Sequence, residues 1–110
     1  MNKFKYAFNG LKLAFKEKAF ITQIILAIFA VIGGIIIRLE SFEWLCFIIC
    51  IFLVLALEIL NCVIEKLCDL YFLENNPKIK VIKDMAAASV LVFSFGALLV
   101  CLICLFRRII

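Results

Sequence analysis

Residues Trp44–Ile64 read WLCFIICIFLVLALEILNCVI, 21 residues in which Glu58 is the sole charge. Crossing the hydrocarbon core of a bilayer takes about 20 apolar residues, so this stretch predicts a membrane-spanning helix with one acid inside it. Two further runs flank it. Ala19–Ile37 is 19 residues without a charge, and Met85–Phe106 is 22. An all-α membrane protein with three transmembrane helices follows, with spans at about 19–37, 44–68 and 77–106.

Composition agrees. Of 110 residues, 68% are hydrophobic and 18% charged, against roughly 45–50% and ~25% for soluble domains, and the mean hydropathy is +1.25. The length fits a single domain over 1–110, and four Gly and one Pro are too few for the tight turns of a small β-barrel or sandwich. Histidine is absent, which excludes a Ser-His-Asp triad and a His-ligated zinc. The glycines, Gly10, Gly33, Gly34 and Gly96, form neither a G-x-x-x-x-G-K-[ST] phosphate loop nor a G-x-G-x-x-G turn. Cys46, Cys50, Cys62, Cys101 and Cys104 lie in apolar runs, with Cys68 just beyond one; they read as small hydrophobes rather than a disulfide framework. Cys101-Leu-Ile-Cys104 has half of a metal-site spacing but no partner pair.

Residues 3–18 place Phe4, Phe8, Leu11 and Phe15 on one helical stripe, with Lys3, Lys5, Lys12, Lys16 and Lys18 around it. This predicts an amphipathic surface helix in the membrane interface; the plainer alternative is a solvated helix with flanking lysines. A basic amphipathic segment before the first apolar run, with no small-residue cleavage site after it, argues against a removable signal peptide. These five lysines and Lys66, Lys78, Lys80 and Lys83 lie on one side of the spans, opposite Arg38, Arg107 and Arg108. The cation excess puts the N-terminus in the cytoplasm and the C-terminus outside. Ser41 is the expected N-cap of the second span, and Asn76-Pro77 the cap and first residue of the third helix.

The informative feature is polar. Glu58, Asn61, Glu65 and Asp69 recur at i, i+3, i+7 and i+11, on one face of an otherwise apolar helix. Burying a carboxylate in a span costs at least ~2.5 kcal/mol on insertion scales, so Glu58 reads first as functional; a protonated acid bonding a neighbouring helix is the structural alternative. Glu65 lies about 10 Å further along, near the headgroups. With the interfacial Glu17 it makes a pair of hard oxygen donors suited to Mg²⁺. Lys83 and Asp84 start the third helix at the same depth, where snorkelling and an ordinary first-turn acid are the bland readings. A single three-span chain can hardly shield these groups from lipid, which predicts an oligomer; Ala86-Ala87-Ala88-Ser89, Ser94, Gly96 and Ala97 are small enough for close helix approach.

Three ordered blocks carry a family resemblance. Glu58-Ile-Leu-Asn61-Cys-Val-Ile-Glu65 followed by Asp69 resembles the E-[IL]-[IL]-N-[ST]-A-[IV]-E-x-x-x-D signature of the small bacterial membrane kinases, prokaryotic diacylglycerol kinase and undecaprenol kinase. Lys83-Asp84-Met85-Ala-Ala-Ala-Ser-Val-Leu is similar to their K-D-[MVIL]-x-x-A-A-V-L block, and Tyr6-Ala-Phe-Asn-Gly10-Leu-Lys to their N-terminal A/Y-x-x-K-G-[LI] block. Ile21, Thr22 and Gln23 depart from relatives, which carry Arg and then an acid or His, and Cys62 replaces a small hydroxyl residue.

The resemblance implies a homotrimer in the bacterial cytoplasmic (inner) membrane, with active sites on the cytoplasmic side and no nucleic-acid partner. It implies transfer of the γ-phosphate of ATP to the hydroxyl of a membrane lipid, either diacylglycerol, giving phosphatidic acid, or undecaprenol, giving undecaprenyl phosphate. Glu58 then matches the catalytic base, and Glu17 and Glu65 the ligands holding Mg²⁺ against ATP. Lys83 and Asp84 match nucleotide-contacting positions, as more loosely do Tyr6, Glu74, Asn75 and Asn76. Asn61 and Asp69 match the supporting polar stripe. Phosphoryl transfer needs positioning and charge neutralisation more than covalent chemistry, so this set suffices without a phosphate loop. The competing readings are a small oligomeric transporter using the intramembrane Glu58, which leaves Glu65, Lys83 and Asp84 unexplained, and a structural or lysis-type protein without chemistry.

Overall fold

The computed structural model describes residues 2–71 and 77–109, which form four helices: α1 (Asn2–Ala14), α2 (Lys18–Ile37), α3 (Ser41–Tyr71) and α4 (Pro77–Ile109). Three of them, α2, α3 and α4, are long and apolar enough to cross a membrane. In hydrocarbon a chain must satisfy its backbone amides internally, so uncharged runs of this length become helices despite their many β-branched residues.

The surface segment is shorter than the expected helix over 3–18. α1 stops at Ala14, and the amides of Lys16 and Glu17 bond back three residues, to the carbonyls of Leu13 (3.1 Å) and Ala14 (3.0 Å). These tighter turns end the helix. Glu17 is extended (φ −86°, ψ 127°) and caps α2 through its carbonyl, which accepts from the Ile21 amide at 3.1 Å. Phe15, which the stripe assigned to the surface helix, instead meets Phe20 edge-on, ring centroids 5.4 Å apart, across the corner. The corner turns the chain from the surface into the first span.

The α2–α3 connection is a Schellman closure. Arg38 is left-handed (φ 58°, ψ 65°), its amide donates to Ile35 O at 3.3 Å, and the Leu39 amide donates to Gly34 O at 3.2 Å. Leu39 folds back on the helix it ends: a Cβ on Gly34 would lie 2.7 Å from Leu39 Cδ1 and 2.9 Å from Trp44 Cη2. The N-cap of α3 is Glu40 rather than Ser41. Glu40 O accepts from the Trp44 amide (2.9 Å), and Glu43 Oε1 reaches back to accept from the Glu40 amide (2.9 Å), one half of a capping box.

α3 is the central element, packed on both α2 and, more extensively, α4. Ion pairs at opposite ends fix α3 and α4 as antiparallel: Glu43 with Arg108 at the 38–43 loop end, and Asp69 with Lys83 (2.5 Å) at the end near α1. Leu39, Phe47 and Cys104 form a small buried cluster at the loop end, with Ile37, Trp44, Val100 and Cys101 against it. The six cysteines are free thiols. At 1.5 Å per residue, α3 and α4 run about 46 and 50 Å, beyond the ~30 Å of hydrocarbon, so their charged ends project. Elsewhere the surface is apolar: Phe29, Phe52 and Val92 are each about two-thirds or more exposed.

Candidate functional site

The site grows from α3 because that helix carries the polar stripe and lies between two apolar neighbours. Its first two members are buried, Glu58 at 5% exposure and Asn61 at 8%. The next two, Glu65 and Asp69, are exposed as α3 leaves the apolar zone. Asn61 Nδ2 donates to Glu65 Oε1 at 3.3 Å, which orients the amide along the stripe. The other end of that amide, Oδ1, is buried with no hydrogen-bond partner among the described residues. Among the described residues no hydrogen bond or ion pair reaches the Glu58 carboxylate. Asn61 Oδ1 is thus a shielded acceptor without a donor, one helical turn from a buried carboxylate, and an O–H group would complete it.

Toward α1 the stripe acquires cations. Glu17, at the α1–α2 corner, pairs with Lys66 Nζ at 2.7 Å. It makes no side-chain capping bond to α2. Asp69 accepts from Lys83 Nζ across the α3–α4 contact, and Asp84 Oδ2 accepts from Lys80 one turn earlier on α4 at 2.6 Å. A cleft of about 450 Å³ lies between α1, the start of α2 and this part of α3. Gly10, Ala14, Phe20 and Cys62 contribute to its apolar walls, and Glu17 and Lys66 supply charge.

The expected site residues thus divide. Glu58, Asn61 and Glu65 share one face of α3, with Asp69 continuing it to Lys83 on α4, and Glu17 meets that region through Lys66. Asp84 is held by Lys80 and not by α3. Tyr6 is 68% exposed on α1 and does not line the cleft. Glu74, Asn75 and Asn76 lie outside the described residues. Thr22, in the divergent stretch after Phe20, turns its hydroxyl onto Lys18 O at 2.9 Å.

Two features escape a reading of the sequence. Lys66 counts there only as one flanking cation, whereas it sits on the carboxylate of Glu17. Glu43, to which the sequence assigns no role, is 3% exposed and bound to Arg108. The i, i+3 offset of Glu40 and Glu43 is a legible capping signal; partners from distant helices leave no local trace.

The profile of the family described as prokaryotic diacylglycerol kinase matches residues 5–105. A diacylglycerol kinase of Helicobacter pylori strain 26695 is 36% identical over 88 residues, 79% of this chain and 69% of that protein. The diacylglycerol kinase of strain J99 is 35% identical over the same span and shares. The match runs from α1 through most of α4 and includes the whole polar stripe. The chain therefore belongs to the prokaryotic diacylglycerol kinase family, a multi-pass membrane protein and a lipid kinase.

Proposed function

We propose that this chain transfers the γ-phosphate of ATP to the hydroxyl of diacylglycerol, forming phosphatidic acid, with Glu58 as general base. The observation that carries the reading is Asn61 Oδ1, buried without a donor among the described residues, one helical turn from the buried Glu58. The lipid hydroxyl supplies the missing donor. As its oxygen bonds to the γ-phosphorus, Glu58 takes the proton and the bond from phosphorus to the ADP oxygen breaks. Asn61 holds the hydroxyl, and the burial of Glu58 and Asn61 limits the access of water, the competing acceptor.

Glu17 and Glu65 are the residues that would hold Mg²⁺. Their chemistry fits: two carboxylates, one from the α1–α2 corner and partly exposed, one from α3 and exposed, match an ion usually held by one or two carboxylates together with phosphate oxygens. Such an ion neutralises phosphate charge when bound. Lys83, Asp84 and Tyr6 are assigned to the nucleotide, with Glu74, Asn75 and Asn76 beyond the described residues. Asp69 holds Lys83 in place for that role. The cation excess beside this end supports a cytoplasmic site, where ATP is, in a chain of the bacterial inner membrane. The acids and amide on α3, which a single three-span chain can hardly shield from lipid, support assembly as a homotrimer.

Diacylglycerol comes from the names of the Helicobacter pylori proteins; undecaprenol, giving undecaprenyl phosphate, is the second acceptor to be offered. The transporter reading is not favoured, since the chain is placed among kinases and the acids and cations near α1 serve phosphate binding better than transport. Phosphate transfer from labelled ATP with Mg²⁺ to each lipid separately in mixed micelles tests the proposal. Product on diacylglycerol that Glu58→Gln abolishes supports it. Transfer only to undecaprenol replaces the acceptor, and transfer that survives Glu58→Gln removes the base.

A further inference from the structure

Glu17 is assigned above to the metal, yet the structure shows its carboxylate already engaged by Lys66 at 2.7 Å. The other proposed ligand, Glu65, has an amide donor, Asn61, and no ion-pair partner among the described residues. The two carboxylates are therefore in different states: one is free to take a cation, and the other must first give one up. The Lys66 side chain is 69% exposed and that of Glu17 32%. Ion pairs so close to solvent are weak, so this contact can be exchanged without disturbing the helices. Lys66 also lines the cleft with Glu17, which keeps its flexible stem beside the same space after it lets go.

We propose that Lys66 is an exchangeable counter-ion that couples metal to nucleotide binding, an inference that rests on the reading of Glu17 as a metal ligand. With the site empty, Lys66 neutralises Glu17 and competes with a divalent cation. When the cation and ATP arrive together, Lys66 leaves Glu17, repelled by the new positive charge, and pairs with a phosphate oxygen. Metal alone must displace Lys66 with nothing to receive it; metal with nucleotide offers the ammonium a new partner. Binding of one therefore strengthens binding of the other, and by linkage the reverse. A purely structural tie between α2 and α3 predicts no such coupling.

The test uses Mn²⁺ as a paramagnetic stand-in for Mg²⁺, titrated onto the purified full chain in micelles and read by electron paramagnetic resonance, with and without a non-hydrolysable ATP analogue. Lys66→Met is expected to tighten Mn²⁺ binding without nucleotide by at least about fivefold, to shrink the further gain that the analogue brings, and to raise the KM for ATP. Lys66→Arg, which keeps the charge, is expected to stay near the parent protein in all three. Mn²⁺ affinity that Lys66→Met leaves unchanged or weakens overturns the proposal. Glu17→Gln separates the two layers: if it does not weaken Mn²⁺ binding, the metal assignment of Glu17 fails and the exchange with it. If Glu17→Gln weakens binding while Lys66→Met does not tighten it, the exchange alone fails.

Discussion

Glu58 and Asn61 occupy successive turns of α3, and burial gives each a different sensitivity to substitution. Replacing Glu58 by Gln keeps shape and hydrogen-bonding capacity but removes the proposed base, so turnover is expected to fall at least about 100-fold with the helical circular dichroism unchanged. Near-native transfer by Glu58→Gln in a radiolabel assay would reject the assignment. Asn61 makes the complementary case. Its Oδ1 is buried without a donor, and an unsatisfied buried acceptor costs about 1–3 kcal/mol, so Asn61→Leu is expected to raise the thermal midpoint in micelles while turnover drops. A fall in both would mean that the amide serves the fold. Glu58 was legible as a candidate because an acid within 21 otherwise uncharged residues has no inexpensive place in lipid. Its burial, and the unpaired state of Asn61 Oδ1, depend on what packs beside α3.

Connections decide more than their length suggests. The corner at Phe15–Glu17 ends α1 early and puts Glu17 at the head of α2, where its carboxylate faces Lys66 instead of lying along a surface helix. Periodicity carried the expected helix to residue 18 because the apolar stripe continues through Phe15; the contact with Phe20 offered Phe15 another partner. At the other end of α2, Gly34 lets Leu39 and Trp44 close the hairpin. Gly34→Ala is expected to lower stability by about 1–3 kcal/mol, because the new methyl meets two side chains that are already packed. Arg38→Gly acts in the opposite direction. Relief of a left-handed non-glycine residue is expected to stabilise by about 1 kcal/mol. Denaturation by graded SDS in mixed micelles reads both, and an indifferent Gly34→Ala would show that the hairpin closes more loosely than its geometry indicates.

Across the whole molecule, two ion pairs hold α3 against α4, Asp69–Lys83 near the site and Glu43–Arg108 far from it. The distant pair reports register without touching chemistry. Glu43→Arg is expected to lower the thermal midpoint, and adding Arg108→Glu to restore part of it; no recovery in the double variant would show that the pair does not act as a unit. Assembly can be addressed from the open side of α4. A Cβ on Gly96 meets nothing within 4 Å in the chain, so Gly96→Leu has no clash within a subunit. In the proposed trimer, close packing at this small residue predicts that Gly96→Leu shifts the sedimenting species in detergent from trimer toward smaller forms. An unchanged trimer would place the subunit contact on another face.

By itself the sequence determined three spans, a basic amphipathic N-terminal segment and a polar face on the second span. Each rests on local quantities: the hydropathy of about 20 consecutive residues, or the spacing that returns side chains to one side of a helix. The three family blocks were legible in the same way, as short ordered patterns. Tertiary structure alone decided which charges meet. Glu17 had five neighbouring lysines in sequence and paired with Lys66 of α3; Asp69 paired with Lys83 of α4; Glu43 took Arg108 from the far end of the chain. Those choices follow from where helix axes cross and where α1 stops. One spacing pattern fits many crossings, and packing selects among them.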